Sequence, residues 1–353
     1  MESVLKIVLT GGPCGGKTTA KEYIHNYFEK NGFKVIFVPE SATQVMALGI
    51  KRGTSEFQHA VYENQLKNEL AAAKEAKSKT LIVCDRGTMD SAAYFSEGQF
   101  EEFLKEYNSS IIAEKDRYDA VFHLESAACG AEEFYTNAGG HRTETVEEAR
   151  VLDGRTMSVW VGHNHLRVIT NNGPFENKMN NLIEEIAFFA GEMGSLEIEK
   201  KFLIEKPEIE KLENMPLCKG VDITQVYLKS EPGCGRRIRN RGGCCYYTEK
   251  RKLESGIREE IERKISLDEY KALLNEADEF CAPVVKKRYC LVYKGKYFEL
   301  DVFSFMEKEA FLEIELKSVD EEFELPPFVK VIADVTDNKE YTNLALAKKL
   351  KNM

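Results

Sequence analysis

The sequence lacks any hydrophobic run close to the roughly 18 residues of a membrane-spanning helix. Its first residues, MESVLKIVLTGG, form too short and too interrupted an apolar stretch for a signal peptide. The nine cysteines are an odd number and include no Cys-x-x-Cys pair. We therefore expect a cytoplasmic protein whose thiols are reduced and in several cases buried.

An excess of positive charge is missing too, because the formal net charge is −10 at pH 7. A protein that binds nucleic acid by releasing counterions needs a basic surface. We therefore expect no DNA partner, and any anion has to bind in a local basic pocket. Long repeats and low-complexity segments are also missing.

The chain divides into two patterns, and its 353 residues, 43% of them apolar, suffice for two ordinary cores. Up to about residue 190, short apolar runs alternate with helical patterns, which indicates an α/β domain with a parallel sheet covered on both faces. The first domain is predicted to span residues 1–192. Its predicted strands are 6–10, 34–38, 80–84, 119–124 and 166–170.

After the segment GEMGS at 191–195, apolar and polar residues alternate, which is typical of strands. Many strands with few helices indicate an antiparallel sheet or barrel, so an α+β barrel domain is predicted over residues 195–353. The predicted strands are 196–204, 222–229, 235–241, 244–252, 256–265, 284–293, 296–305 and 309–317. One helix is predicted after Ser266, which forms a capping box with Glu269.

The segment after the first predicted strand fits the phosphate-binding pattern G-x-x-x-x-G-K-[ST]. Its glycines let successive N–H groups turn toward one centre, and the following helix directs its positive end there. Lys17 is predicted to bridge the terminal phosphates of a nucleoside triphosphate, and Thr18 to hold Mg²⁺. The residues predicted to bind the nucleotide are Gly11, Gly12, Pro13, Cys14, Gly15, Gly16, Lys17, Thr18 and Thr19.

Further candidates follow other predicted strands of this domain. Asp85 and Glu40 each end a strand, so either is a candidate to hold the metal or to act as base toward an acceptor hydroxyl. A surface acid at a strand end is the alternative for each. Arg142 lies in a segment that is either a flap closing over phosphates or a solvated helix. Asn171 follows the last strand, where such folds contact the base, but no N-K-x-D element identifies that base.

Nearly every strand predicted after residue 195 has a charged face, and these faces are acidic on some strands and basic on others. In a closed barrel such charges have to neutralise one another or a ligand; an open, solvated sheet is the alternative. Acidic pairs suit Mg²⁺ or Mn²⁺, and the metal candidates are Glu197, Glu199, Glu260, Glu262, Glu299, Asp301, Glu313 and Glu315. Basic pairs suit a chain of phosphates, and the candidates are Lys201, Arg237, Arg239, Lys250, Arg258, Lys286, Arg288 and Lys317.

Glu197, Glu199 and Lys201 form an E-x-E-x-K motif, and R-x-R, R-x-E-x-E, K-x-R, E-x-D and E-x-E pairs follow it. This array, over about residues 195–345, resembles the CYTH or triphosphate tunnel metalloenzyme family. The resemblance implies an eight-stranded tunnel whose acidic residues bind divalent metal and whose basic residues hold a triphosphate. Members of the family hydrolyse tripolyphosphate, thiamine triphosphate or RNA 5′-triphosphates, or cyclise ATP.

The first domain resembles nucleoside-kinase-like P-loop proteins. The order of the two domains, with segments such as DRGTMDSAAY and DVTDNKEYTNLALA, resembles the TRPL translocation defect protein family of eukaryotes. That resemblance implies GTP binding, association with anionic phospholipid headgroups through peripheral membrane contact, and a role in membrane trafficking.

Three functions are compatible with these observations. The first is a regulator that binds GTP or ATP with Mg²⁺ and whose tunnel holds a polyphosphate or another phosphorylated ligand. The second is a P-loop kinase that phosphorylates a small molecule or nucleoside. The third is a metal-dependent triphosphatase that acts in the tunnel. The sites of the three functions lie in different domains and do not exclude one another.

Overall fold

The computed structural model describes residues 4–135, 144–191, 198–231, 234–252, 258–318 and 320–352, with the backbone alone at 251–252 and 258–260. The chain forms two compact units. One comprises Met1–Glu197 and Val292–Tyr297, and the other comprises Ile198–Leu291 and Phe298–Met353.

The first unit contains a five-stranded parallel sheet, as predicted. Its strands are β1 (Val4–Thr10), β2 (Lys34–Val38), β3 (Thr80–Asp85), β4 (Ala120–Leu124) and β5 (Leu166–Ile169). The strand order is β2-β3-β1-β4-β5, so β3 and β4 flank β1. The carboxyl ends of these three strands therefore meet where ligands bind in open parallel sheets.

The helices of this unit are α1 (Lys17–Lys30), α2 (Ser41–Ala47), α3 (Ser55–Glu75), α4 (Gln99–Glu106), α5 (Ile111–Lys115), α6 (Val146–Trp160) and α7 (Phe175–Phe189). Helices α1 and α7 pack together on the sheet through Ile24, Phe28, Met179 and Leu182, which are fully buried. Their apolar residues recur every three or four positions, so one face of each helix covers the strands.

The second unit contains a nine-stranded antiparallel sheet within its described residues. The strands are β6 (Ile198–Glu205), β7 (Cys218–Leu228), β8 (Cys234–Arg241), β9 (Cys244–Lys252), β10 (Arg258–Ile265), β11 (Val284–Tyr293), β12 (Lys296–Phe303), β13 (Glu309–Leu316) and β14 (Val331–Asp334). Their order is β10-β9-β8-β7-β11-β12-β13-β6-β14. The sequence predicted the first eight and missed β14, because four residues are too few for a recognisable alternation.

The α-helices in the described part of this unit are α8 (Ile209–Glu213), α9 (Leu267–Leu273) and α10 (Asn343–Lys351). Ser266 caps α9 as predicted, since its hydroxyl oxygen accepts a hydrogen bond from the Glu269 N–H at 3.1 Å. The Glu269 carboxylate, in contrast, pairs with Arg263 of β10. The reciprocal half of the predicted capping box is therefore replaced by an ion pair between strand and helix.

The strands of the second unit alternate between an apolar face and a charged face. Phe298, Leu300 and Leu312 are fully buried on the apolar face. The opposite face, called the inner face below, carries the charged residues of β6, β8, β11, β12 and β13. At one end this face becomes apolar, because Leu203, Val284, Phe303 and Phe311 pack there with Leu346 and Ala347 of α10. Helix α10 therefore covers that end of the charged layer.

Arg288 of β11 is the centre of a buried ion-pair network on the inner face. Its Nε and Nη2 atoms lie 2.7 Å from the two carboxylate oxygens of Asp301 on β12. Nη2 also donates to Glu313 of β13 at 2.9 Å, and Nη1 pairs with Glu299. Burial opposes ionisation of Asp301, yet the Arg288 and Lys286 cations hold its pKa well below the usual value. One guanidinium thus compensates carboxylates from two strands.

Two lysines extend this network. Lys286, buried on β11, pairs with Asp301, and Lys201 of β6 lies 2.7 Å from the other carboxylate oxygen of Glu313. Burial and the Arg288 cation lower the pKa of Lys286. The inner face therefore neutralises much of its own charge, as a buried charged layer has to.

None of the nine cysteines, all of which lie among the described residues, is part of a disulfide, and six of them are buried. Among the described residues, no helix combines the length and the apolar character needed to cross a bilayer.

The ion-pair network predicts a large loss of stability for Arg288→Ala. The substitution removes the cation but leaves the buried carboxylates of Asp301, Glu299 and Glu313, and such a loss costs ~3–5 kcal/mol. We expect a correspondingly lower urea midpoint by circular dichroism. Arg263→Ala is the control, because its pair with Glu269 is half exposed and its loss should change stability little.

The loss of stability caused by Arg288→Ala should also depend on pH. Asp301 has a lowered pKa in the folded wild-type protein. Its ionised carboxylate therefore stabilises the fold above the pKa of about 3.9 that an aspartate has in the unfolded chain, and this stabilisation is lost only below that pH. Without the guanidinium, burial raises the pKa of Asp301 and Glu299, and folding then takes up protons. The difference in the free energy of unfolding between Arg288→Ala and wild type should therefore shrink as the pH falls from about 8 to about 5. A loss of stability that stays constant with pH would contradict this account.

Candidate phosphate-binding sites

The glycine-rich loop joins β1 to α1 at the carboxyl edge of the first sheet. Gly11, Cys14 and Gly16 have positive φ angles of 134°, 54° and 90°. A Cβ atom on Gly11 would lie 2.1 Å from the carbonyl oxygen of Leu124, and one on Gly15 would lie 2.6 Å from the same atom. The loop therefore requires glycine at these positions, because its backbone packs directly against the end of β4.

Lys17 is folded over this loop. Its Nζ donates to the carbonyl oxygens of Gly11 at 2.9 Å and Gly12 at 3.1 Å. Burial and the nearby Arg86 cation lower the pKa of Lys17 to about 8. The ammonium group is thus held by neutral carbonyls, and an anion placed in the loop would offer it a stronger partner.

Asp153 of α6 lies beneath the loop and fixes its first turn. Its Oδ1 accepts hydrogen bonds from the N–H groups of Gly12 at 2.7 Å and Ser126 at 3.1 Å. The Nε2 atom of His123 lies 3.2 Å from the same oxygen. Asp153 is 1% exposed, so this buried carboxylate depends on these partners. Asp153 therefore supports the backbone of the loop.

Asp85 and Glu40 lie beside the loop, as expected for residues at the ends of β3 and β2. Asp85 Oδ2 accepts a hydrogen bond from Lys21 Nζ at 2.7 Å. Glu40 Oε1 accepts one from Arg86 Nε at 2.8 Å. Burial opposes ionisation of Glu40, but Arg86 lowers its pKa. Both carboxylates also act electrostatically on Lys17, so cation and acids share one edge of the sheet.

Arg86 is held in place by a network that sequence reasoning missed. It has a positive φ of 71°, and its Nη1 donates to Asp90 Oδ1 at 3.1 Å. Asp90 is buried and also accepts hydrogen bonds from Thr10 and from Trp160 Nε1. The available signal was the spacing of Asp90 four residues after Arg86, although its partners on β1 and α6 are remote in sequence. The network directs Arg86 toward Glu40.

The oxygen donors near the loop have the chemistry that Mg²⁺ prefers. Thr18 is exposed at the start of α1, and Asp85 ends β3 next to the loop. Asp85 accepts its hydrogen bond from Lys21, a single side-chain partner that a metal cation could displace. These two residues therefore fit the predicted metal.

Asn171 has a different environment from the one expected of a base-binding residue. Its Nδ2 donates to the carbonyl oxygens of Ser126 at 2.7 Å and Cys129 at 2.9 Å, and its Oδ1 accepts from Lys178 at 2.7 Å. Burial lowers the pKa of Lys178 to about 8, and its ammonium also donates to the Glu125 carbonyl. The Asn171 amide thus joins the loop after β4 to the start of α7.

The predicted flap is described in part. Arg142 lies outside the described residues. Arg150, on the same predicted segment, lies on α6, donates to the carbonyl oxygen of Ala128 and pairs with Glu132. Its guanidinium therefore ties α6 to the loop that follows β4.

The basic residues of β8 converge with Arg288 on the inner face of the second unit. Arg239 donates to Glu262 at 2.9 Å, and Arg237 hydrogen-bonds to Tyr227, its cross-strand partner. Burial and the cations of Arg237, Arg241 and Arg288 lower the pKa of Arg239. Strands β8 and β11 thus present a concentration of guanidinium groups to one region, which suits an anion of several charges.

Acidic residues of β6 and β13 face each other across the same layer. The strand register pairs Glu199 with Glu315 and Lys201 with Glu313. Partial burial and the Glu313 carboxylate raise the pKa of Glu199 to about 7. The carboxylates therefore repel one another, and a divalent cation would relieve this repulsion.

A preformed metal centre is, however, not found within the described residues. No group of three or more His, Cys, Asp or Glu in the described part of the chain has the arrangement of a metal site. Glu197 lies outside the described residues, and Glu260 is described by its backbone alone. The carboxylates have the right chemistry for a hard cation, but those described do not form a complete site.

The remaining basic residues predicted for the tunnel lie on β9, at the start of β10 and directly after β13. Lys250 is exposed on β9, and the register pairs its backbone with that of Glu260 on β10. Arg258 begins β10, and Lys317 directly follows β13.

Two models of protein families match successive parts of the chain. Residues 6–178 match the family model described as an AAA domain, and residues 195–332 match that of the CYTH domain. The comparison with curated proteins gives no match.

Among solved structures, an inorganic triphosphatase is 28% identical with a TM-score of 0.34, and the match covers 44% of this chain and 95% of that chain. A deoxyadenosine kinase from M. mycoides with bound dATP is 16% identical with a TM-score of 0.37, and that match covers 52% of this chain and 98% of the kinase. The two family matches identify the chain as an AAA-type P-loop domain fused to a CYTH domain.

Proposed function

We propose that the first unit binds a nucleoside triphosphate with Mg²⁺ and that the second unit binds a phosphorylated ligand on its inner face. The observation that carries the first half is the position of Lys17, whose ammonium lies over the backbone of the glycine loop. The loop amides and Lys17 would hold the β- and γ-phosphates. Thr18 and Asp85 would hold Mg²⁺, which would neutralise charge on these phosphates.

The second half rests on the convergence of Arg237, Arg239 and Arg288. A triphosphate, a longer polyphosphate or a phosphorylated headgroup offers enough negative charge to compete with Glu262 and Asp301 for these guanidinium groups. Glu197, Glu199 and Glu315 are the candidates to hold a divalent cation beside it. Such a cation would supply charge neutralisation, and in a triphosphatase also an activated water.

The physiological role that we propose is regulatory and rests on the family resemblance. GTP, with ATP as the alternative, would control a cytoplasmic protein whose inner face binds the headgroup of an anionic phospholipid during membrane trafficking. Slow turnover of bound nucleotide without an acceptor would support this role.

A second candidate function is phosphoryl transfer to the hydroxyl of a small molecule, such as a nucleoside. The observation that favours it is the ion pair of Glu40 with Arg86 beside Lys17. The pair would position an ionised carboxylate to orient the acceptor hydroxyl and take its proton. Its lowered pKa makes Glu40 a weak base, so orientation would be its larger contribution.

Lys17→Ala is expected to weaken nucleotide binding while the fold stays intact. A charge-assisted contact to phosphate is lost, so the Kd for fluorescent ATP or GTP with Mg²⁺ should rise roughly 10- to 100-fold. Lys30→Ala is the matched control, because Lys30 is exposed at the other end of the same helix. Unchanged affinity in Lys17→Ala would refute the assignment of the loop.

Glu40→Gln distinguishes the kinase from the regulator. If the chain phosphorylates a nucleoside or riboside, the turnover number should fall about 10²- to 10⁴-fold with nucleotide affinity retained. Glu101→Gln, an exposed acid in the first turn of α4, is the control. The measurement is transfer of labelled γ-phosphate to a panel of nucleosides. Transfer that is unaffected by Glu40→Gln would exclude this residue from the reaction.

Arg237→Ala combined with Arg239→Ala should strongly weaken binding on the inner face. The Kd for tripolyphosphate should rise about 100-fold, because two charge-assisted contacts are lost. Sedimentation with phosphatidylcholine vesicles, with and without phosphatidic acid, tests the headgroup alternative, and phosphate release from tripolyphosphate tests hydrolysis. Arg236→Ala is the control, since Arg236 pairs with Tyr247 and Glu276 on the other face of the strand. Unaltered binding in the double variant would contradict the proposal.

A further inference from the structure

Phe175 is a large apolar side chain that stays half exposed beside the phosphate loop. It is the first residue of α7 and is 47% exposed. A Cβ atom on Gly16 would lie 2.8 Å from its Cε2 and 3.1 Å from its Cζ. The ring therefore lies against the last glycine of the loop, and about half of the residue remains open to solvent.

The backbone around Phe175 sets the position of this ring. Gly173 has a positive φ of 86°, and Pro174, with φ −59°, precedes the first turn of α7. Met179, one turn further along α7, reaches within 3.6 Å of the same Cβ position on Gly16. The start of α7 is thus built against the loop, and the ring is supported on one side.

The neighbouring groups at the end of β5 are already engaged. The Asn171 amide donates to two backbone carbonyls and accepts from Lys178, whose ammonium is also bound to the Glu125 carbonyl. These two side chains are therefore not available to form hydrogen bonds with the edge of a base unless their own bonds break. The half-exposed ring of Phe175 has no hydrogen bonds that would have to break before a base could contact it.

We propose that Phe175 is the platform on which the base of the bound nucleotide stacks. The inference rests on the proposed nucleotide binding at the loop and extends it to a residue outside the loop. Bases have a π-face in common, so stacking on an aromatic ring tolerates different bases. Adenine and guanine nucleotides should therefore depend on Phe175 to a similar extent.

The test compares Phe175→Ala and Phe175→Leu with the wild-type full-length protein. Both should raise the Kd for ATP and for GTP with Mg²⁺ about 5- to 100-fold, the range of one lost stacking contact. The leucine variant retains apolar packing against Gly16, so a loss in it reports the missing π-face. Phe280→Ala, at a phenylalanine of the second unit that is 70% exposed, should leave both constants unchanged.

Phe175→Trp gives a direct readout. The new indole should retain nucleotide binding, and its fluorescence should change when ATP or GTP binds but not when inorganic tripolyphosphate, which has no base, is added. Wild-type affinity in both Phe175→Ala and Phe175→Leu, or an indole fluorescence in Phe175→Trp that nucleotide binding leaves unchanged, would overturn the inference. If Lys17→Ala also binds as wild type, the proposed function fails; if only the Phe175 variants do, nucleotide binding stands and the platform fails.

Discussion

Compensation of buried positive charge is the constraint on which both candidate sites depend. A lysine or arginine removed from water needs oxygen partners, and each site supplies them from the protein itself. Lys17 uses the carbonyl oxygens of its own loop, whereas Arg288 uses carboxylates from neighbouring strands. Phosphate oxygens are stronger partners than carbonyls, so the loop gains from an anion. On the inner face a ligand has to replace carboxylates, which makes binding there an exchange of one ionic partner for another.

The glycine loop could be predicted from sequence because its chemistry is local. A few neighbouring positions fix both the turn and the cation, and the strand and helix around them follow from periodicity. The residues that hold the loop and Arg86 could not be predicted in the same way. Asp153 is separated from Gly12 by 141 residues, and Trp160 from Asp90 by 70, so only the folded sheet brings them together.

The second unit shows the same division between local pattern and remote contact. Period-two alternation assigned the charged residues to one face, and their mutual pairing followed from the need to neutralise them. The short strand β14 depends on its pairing with β6. Glu269 forms an ion pair with Arg263 of β10 instead of the predicted capping-box hydrogen bond, and this contact too lies outside the local pattern. Arg142 and Glu197 lie outside the described residues, and their proposed roles remain expectations from the sequence.

The apolar end of the inner face limits what the second unit can accept. Phe303 and Phe311 flank the charged positions of β12 and β13, and Leu346 of α10 packs against them. A phosphate chain that enters along Arg239 and Arg288 therefore meets hydrocarbon, where its anionic oxygens would lose their partners. Hydrocarbon thus covers the α10 end of the charged layer, so a phosphate chain bound on the inner face as proposed would have to end before that cluster.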